Sequence, residues 1–196
     1  MRDCYKKAEE LYAQGKYAEA AELYRAAAEQ GDSAAQFALG RMYYSGKGVE
    51  KDPGEAVRLF ALAAEQGELQ AMMRLASTYQ LGWDIEQSYE SALHWFERAA
   101  ELGSAKAAYR AGQFYAQGLG TEQSVPKALE FWGRSLELEA SGEVAYRVAS
   151  AYYEGKGIPR DLVRARYYFC YANKHGYECR GAIALVEQAM KKEEQN

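Results

Sequence analysis

Apolar residues recur along this chain at the spacing of amphipathic helices. One apolar stripe consists of Ala35, Leu39, Met42 and Tyr43. A second stripe, beyond a glycine-containing loop, consists of Ala56, Leu59, Phe60 and Ala63. Because steps of three and four residues place side chains on one helical face, the stripes predict two helices that fold back on each other. Helices of about 12 to 14 residues are marginal alone, so neighbouring hairpins must stabilise them.

This hairpin pattern is repeated along the chain. Gly31, Gly67 and Gly103 lie 36 residues apart, each after an alanine-rich stretch. The loop glycines Gly46, Gly82 and Gly118 have the same spacing, and one extra residue near position 140 lengthens the interval from Gly118 to Gly155 to 37. Four copies of the hairpin occupy residues 32–176. Periods of this length are typical of solenoids, in which each unit packs only on its neighbours. We therefore predict an all-α fold, a right-handed superhelical solenoid of antiparallel helix pairs without β-strands.

Loop and cap residues recur at fixed positions in these copies. The first helices are predicted to end at Gly46, Gly82, Gly118 and Gly155. A second set of glycines, for which we predict positive φ, consists of Gly48, Gly120 and Gly157. In the loop 81–88, Asp84 replaces the second glycine and is predicted to adopt the same conformation. The second helices are predicted to begin within about three residues of the capping side chains Asp52, Ser88, Ser124 and Asp161.

The second copy carries a recognisable set of residues. In order, it contains Leu39-Gly40, Tyr43, Gly46-Lys47-Gly48-Val49, Asp52, Ala56, Phe60 and Ala63-Ala64-Glu65-Gln66-Gly67. With these residues it closely resembles the Sel1-like repeat, a relative of the tetratricopeptide repeat. The resemblance covers about three quarters of the chain.

The resemblance implies one continuous domain with a cap at each end. Residues 1–31 have a short loop and resemble an ordinary tetratricopeptide unit, which would be the starting cap. The four Sel1-like repeats would be residues 32–67, 68–103, 104–140 and 141–176. Residues 177–196 would supply a closing helix and a tail, since a solenoid needs its last apolar face covered. This division predicts eleven helices.

Composition narrows the class of partner. The 196 residues include 24 basic and 28 acidic side chains, a formal net charge of −4, so no basic surplus is available for nucleic acid. The N-terminal sequence lacks the apolar stretch of an export signal, and no apolar run of about 18 residues follows. We therefore expect a cytoplasmic protein without membrane insertion, whose partners are proteins or peptides. A monomer is the simpler expectation, although the oligomeric state stays open.

Residues with catalytic or metal-binding chemistry are few. The Gly-x-Gly loops follow helices and lack the Gly-Lys-Ser/Thr ending of a phosphate-binding loop. The only two histidines, His94 and His175, are isolated, and the set Cys170, His175 and Cys179 fits no zinc spacing. We predict no metal, no cofactor and no enzymatic activity. Cys4, Cys170 and Cys179 are expected to be reduced, with a bridge between the last two as the alternative.

A ladder of aromatic and polar residues recurs on the first helix of each pair. In tetratricopeptide relatives this helix lines the concave face, so the resemblance implies a partner-binding groove there. The predicted partner-binding residues are Tyr5, Glu9, Tyr12, Phe37, Arg41, Tyr44, Met73, Ser77, Gln80, Tyr109, Gln113, Tyr146, Ser150 and Tyr153. The alternative is that the series Tyr5, Phe37, Met73, Tyr109 and Tyr146 only fills space between neighbouring helices. The core tyrosines are predicted to be Tyr43, Tyr79, Tyr115 and Tyr152.

Two functional classes follow from the resemblance. The first is a bacterial adaptor that holds a peptide or a partner's helix in a concave aromatic groove and assembles a complex. The second is an inhibitory binder, such as an immunity protein for a cognate toxin. An enzyme of unknown type is a third, weaker class. Binding through the convex face or through Trp83, a large aromatic residue in a loop, would be the alternative to a concave site.

Overall fold

Eleven α-helices joined by short loops make up the part of the chain that the structure describes. The computed structural model describes residues 2–82 and 85–195. The helices are α1 (Arg2–Ala13), α2 (Tyr17–Glu29), α3 (Ser33–Ser45), α4 (Pro53–Glu65), α5 (Leu69–Leu81), α6 (Tyr89–Glu101), α7 (Ala105–Gln117), α8 (Val125–Leu138), α9 (Gly142–Glu154), α10 (Leu162–Lys174) and α11 (Arg180–Glu194). Within those residues there is no β-strand. The predicted all-α fold and the count of eleven helices are confirmed.

The described chain divides into two units, each with its own helix pairs. The first unit ends at Leu102 and contains α1 to α6. Its strongest packing lies within the pairs α1–α2, α3–α4 and α5–α6, and α2–α3 and α4–α5 join successive pairs. Alanines fill much of the interface, and larger residues such as Tyr24, Leu39 and Met42 are buried among them. Small residues let the helix backbones approach closely.

The second unit begins at Gly103 and contains α7 to α11. Here α7–α8 and α9–α10 form the pairs, α8 packs on α9, and the single helix α11 packs on α10. Val186 of α11 is fully buried in a cluster with Leu162 and Phe169 of α10. An apolar contact therefore attaches α11 to the last helix pair.

Helix starts follow the capping side chains. Asp52, Ser88, Ser124 and Asp161 are the N-cap residues of α4, α6, α8 and α10, and each accepts a bond from an amide in the first helical turn. A cap of this kind contributes about 1 kcal/mol. The predicted starts of the second helices are confirmed.

The loop after each first helix is closed by backbone hydrogen bonds. In the loop after α3, Gly46 ends the helix in the left-handed conformation, and the amide of Asp52 donates to the carbonyl of Tyr43 at 3.0 Å. The same bond joins Ser88 to Tyr79, Ser124 to Tyr115 and Asp161 to Tyr152. The predicted positive φ is confirmed, at 72°, 67° and 75°, for Gly48, Gly120 and Gly157. Asp84 and Trp83, for which roles were also predicted, lie outside the described residues.

Two glycines within first helices allow a large aromatic ring to lie directly against the backbone. A Cβ atom on Gly40 would come within 2.8 Å of the Phe60 ring, and one on Gly112 would overlap the indole of Trp132. Phe60 is fully buried and Trp132 nearly so. The small residue at this position of the repeat is therefore required by the aromatic residue of the paired helix.

The four tyrosines predicted for the core differ in burial. Only Tyr115 is buried, whereas the other three are half-buried. Tyr43 accepts a hydrogen bond from Arg25, and Tyr152 accepts one from Arg164, both at the protein surface. Their rings pack inward while their hydroxyls reach arginines on the neighbouring second helix, so the core prediction was wrong for the hydroxyl ends of these two residues.

Candidate functional site

The first helices of the first unit carry two neighbouring cavities. We call the surface formed by α1, α3, α5 and the adjoining loop residues the first-helix surface. The two cavities share the side chains of Tyr12 and Arg41. They differ in the sign of the other charges that line them, and the names acidic cavity and basic cavity are used for them below.

The acidic cavity has a volume of about 390 Å³ and lies between α1, α3 and the start of α5. Its lining residues are Tyr5, Glu9, Tyr12, Tyr24, Ala34, Phe37, Ala38, Arg41, Glu68 and Gln70. Four of them carry aromatic rings, and the ring centroids of Tyr5 and Tyr24 are 5.6 Å apart. Tyr24 of α2 is only 4% exposed, so its ring belongs to both the core and the cavity.

Carboxylates set the potential in the acidic cavity. The Tyr5 hydroxyl donates a hydrogen bond to Glu9 Oε1 at 3.2 Å. Burial raises the pKa of Tyr5 to about 12, and the negative charges of Glu9, Asp32 and Glu68 add to the rise. Burial also raises the pKa of Tyr24 to about 12. The charge of Glu9 adds to this rise, and the charge of Arg41 opposes it. The carboxylates therefore make the cavity unfavourable for a further negative charge.

These two tyrosines predict a loss of stability in alkaline solution. Their pKa is about 12 in the folded chain and 10.0 in an unfolded one, so both states hold the protons below pH 10. Above that pH the unfolded chain loses its protons first, and the free energy of unfolding falls until the folded chain titrates as well. Tyr24→Phe removes one of the two groups, so its free energy of unfolding should fall less between about pH 9 and about pH 11.

Urea denaturation followed by circular dichroism at the two pH values measures this difference. The prediction would be contradicted if wild type and Tyr24→Phe lost the same free energy of unfolding between the two pH values.

The basic cavity has a volume of about 270 Å³ and lies beside the end of α3. Its lining residues are Tyr12, Arg41, Tyr44, Ser45, Lys47, Phe60 and Arg74. The Arg74 guanidinium lies over the Tyr44 ring at 5.8 Å, and the Lys47 ammonium lies 6.0 Å from the Tyr12 ring centroid. A cation of the protein therefore lies over one face of each of these two rings.

A third cavity of the first unit, also about 390 Å³, lies on the side of the second helices. Three of its charged groups already have partners: Arg58 makes two hydrogen bonds of 2.7 Å to Glu55, and Arg25 donates to the Tyr43 hydroxyl. Because these donors and acceptors are already paired, this cavity offers fewer groups to a ligand than the two on the first-helix surface.

The predicted binding residues of α5 line neither first-helix cavity. Met73, Ser77 and Gln80 are half-buried, and the Ser77 hydroxyl donates to the Met73 carbonyl of its own helix. Gln80 accepts a bond from Gln87 through its backbone carbonyl. In the first unit the structure thus brings together Tyr5, Glu9, Tyr12, Phe37, Arg41 and Tyr44, and leaves these three residues apart from them.

In the second unit, the predicted residues mostly contact groups of their own unit. Tyr109 donates to Glu143 and accepts from Gln113. Tyr146 packs edge-on against Phe169. The remaining two are Ser150, which lines a cavity of about 220 Å³, and Tyr153, which lines one of about 340 Å³ together with residues of α11.

The cysteines and histidines form no cluster. Cys4, Cys170 and Cys179 are free, and Cys179 is buried with its thiol donating to the Phe169 carbonyl. Within residues 2–82 and 85–195, no group of three or more potential metal ligands is found. None of the helices described is long and apolar enough to cross a membrane.

Two important lining residues were missing from the sequence-based set. Tyr24 lies on a second helix, where it was indistinguishable from other core residues. Glu68 stands at the N-cap position of α5, equivalent to Asp32 before α3, but makes no cap hydrogen bond. A glutamate where its counterparts are the short capping side chains of Asp32, Ser104 and Ser141 is a signal in the sequence that could have identified it.

The helix pairs, their glycine-ended loops and the cavities on their first helices define an all-α repeat protein of the solenoid class. The family model described as Sel1 repeat matches residues 4–32, 33–68, 69–104, 105–139 and 142–177. The chain therefore belongs to the Sel1 repeat family. Repeats of this kind typically mediate interactions between proteins. The division into a tetratricopeptide-like cap, four repeats and a closing helix stays a prediction.

Solved structures show the same fold. The chain is 30% identical to a Sel1 repeat protein from Oxalobacter formigenes, with 88% of this chain and 85% of that chain covered and a TM-score of 0.69. It is 24% identical to c5321, a protective antigen of uropathogenic Escherichia coli, with a TM-score of 0.74 over 82% of this chain and 34% of that one. MamA is 19% identical, with a TM-score of 0.56 over 86% of this chain and 93% of that chain. No match was found among curated proteins.

Proposed function

We propose that the chain is a non-catalytic interaction module that holds a segment of a partner protein on the first-helix surface of its first unit. The observation that carries the proposal is the pair of adjoining cavities, which share Tyr12 and Arg41. Tyrosine and arginine, together with tryptophan, are enriched among the residues that dominate binding energy in protein interfaces. Together the cavities are lined by six aromatic residues, with charges of both signs between them.

The predicted residues of the second unit are not part of this proposal. Tyr146 packs against Phe169 of α10, and Tyr153 lines a cavity together with residues of α11. Their rings therefore have fewer free faces for a partner. The chain as an adaptor in the cytoplasm remains the favoured role. An inhibitory binder would be indicated if a captured partner lost an enzymatic activity on binding.

Selection of a random linear peptide library on the wild-type protein tests the proposal. The selected peptide is then measured by fluorescence anisotropy against a double variant, Tyr44→Ala with Arg41→Ala. Loss of two interface residues of this type typically costs about 2 kcal/mol or more, so we expect the peptide to bind roughly thirtyfold more weakly. Helical content and melting temperature should change little, because Arg41 is exposed and Tyr44 is half-buried.

A matched control uses the cavity on the second-helix side. Arg25→Ala with Arg58→Ala removes two exposed cations from that cavity and should leave the peptide affinity unchanged. The proposal would be wrong if the first double variant bound the peptide with undiminished affinity, or if the control weakened binding equally.

A further inference from the structure

The walls of the acidic cavity are suited to a cation. Tyr5, Tyr12, Tyr24 and Phe37 contribute aromatic rings, whose faces carry partial negative charge. The protein itself uses one of these faces in this way, since the Arg41 guanidinium lies over the Phe37 ring at 5.9 Å. Contacts between a cation and an aromatic face are strongest where water is partly excluded. The Tyr24 ring meets this condition because it is almost fully buried.

Two carboxylates give the cavity its sign. Glu9 on α1 and Glu68 before α5 face one guanidinium, that of Arg41, so the charged lining groups sum to one negative charge. Glu68 does not cap its helix. At the equivalent position before α3, Asp32 accepts a hydrogen bond from the Ala35 amide at 3.0 Å, whereas the Glu68 side chain makes no cap hydrogen bond. The raised pKa of Tyr5, to which both glutamates contribute, is consistent with a negative potential at the cavity wall.

The neighbouring basic cavity sets the direction of a bound segment. The basic cavity is lined by Arg41, Lys47 and Arg74. A positively charged side chain is therefore repelled from the basic cavity and attracted to the acidic cavity. The two cavities therefore distinguish a basic side chain from an acidic one by position along the first-helix surface.

We propose that the acidic cavity receives a lysine or arginine side chain of the bound partner segment. The assignment rests on the proposed function and adds the chemical class of one partner residue. Pockets for small molecules have volumes of roughly 300 to 1,000 Å³, so about 390 Å³ is ample for one side chain and accompanying water. The stem of the side chain would lie along the rings and its charged end near Glu9 and Glu68.

The experiment uses the peptide selected on the wild-type protein and synthetic versions of it that each carry one replacement. In each version, one lysine is replaced by norleucine, which keeps the stem and removes the charge, or one arginine is replaced by citrulline. At one position the replacement should weaken binding to the wild-type protein about tenfold, the effect of a partly desolvated cation contact. The protein variant Glu9→Gln with Glu68→Gln should bind the original peptide about tenfold more weakly and should no longer distinguish it from the uncharged version.

A matched control removes one carboxylate from a different surface of the same unit. Glu22→Gln, on the exposed side of α2, should bind both peptides as the wild type does. Circular dichroism of all variants checks that the near-isosteric substitutions leave the helices intact.

The outcomes separate this assignment from the function on which it rests. Selected peptides without lysine or arginine, or a cationic residue whose replacement has the same effect in wild type and in the double glutamine variant, would overturn the cation assignment while leaving peptide binding established. A wild-type protein that selects no peptide would overturn the proposed function itself.

Discussion

Gly48→Val is expected to lower the free energy of unfolding by about 3 kcal/mol or more. Gly48 has φ at 72°, where a residue with a side chain loses roughly 1 to 2 kcal/mol. A Cβ atom there would also lie 2.7 Å from the Ala18 amide nitrogen and against the backbone of Tyr17. These are backbone atoms in the first turn of α2, which cannot rotate away, and overpacking of this kind costs about 1 to 3 kcal/mol.

Gly157→Val is the matched control for this clash. Gly157 occupies the equivalent place in a later loop with φ at 75°, but the nearest atom to its added Cβ belongs to the Val125 side chain at 3.4 Å. Only the backbone cost of about 1 to 2 kcal/mol is expected there. Urea denaturation of both variants measures the difference, and equal losses would show that the contact between the Gly48 loop and α2 contributes no strain.

Phe60→Ala should cost about 3 to 5 kcal/mol of stability and also weaken peptide binding. The side chain is fully buried, and truncation of such a residue leaves a cavity that its neighbours fill only in part. Its ring lies against the backbone of Gly40, and its centroid is 5.6 Å from that of Phe37. Since Phe37 is a wall of the acidic cavity, loss of its support should lower the affinity for the selected peptide as well.

Phe96→Ala separates the two effects. Phe96 stands 36 residues later at the same position of the next repeat and is 1% exposed, but it lines neither first-helix cavity. It should lose about as much stability as Phe60→Ala while keeping wild-type affinity for the peptide, measured by anisotropy at a temperature where both variants are folded. If both variants bound the peptide equally weakly, the effect of Phe60 would come from general loosening and not from the cavity.

Features of the fold that depend on neighbours in sequence could be predicted from the sequence. Asp52 and Ser124 cap their helices through amides three residues away, and Gly48 has positive φ within a short loop, so each acts over one turn. The burial of tyrosine hydroxyls could not be predicted in the same way. Tyr43 reaches an arginine 18 residues earlier, and such a contact depends on how one helix pair packs on the previous one.

The candidate site was predictable only in part, for the same reason. The repeat register placed Tyr5 and Phe37 in one series, and the structure brings both to one cavity. The register could not supply Tyr24, because its ring reaches the cavity from a second helix. Nor could it show that Tyr153 lines a cavity with α11, a helix outside the repeat.

A hydrogen bond from the amide of an N-cap residue such as Asp52 to a tyrosine carbonyl closes each of these loops. Because this bond holds the two ends of the loop together, the outermost loop residues contribute little to its stability. Glu50 and Glu122, at the same loop position in two repeats, are exposed. Provided that the glycines are kept, mutations can accumulate at such positions without weakening the helix pair. Duplicated repeats can therefore diverge at their loop tips and acquire new contacts, and the same tips are suitable places to graft a short binding sequence.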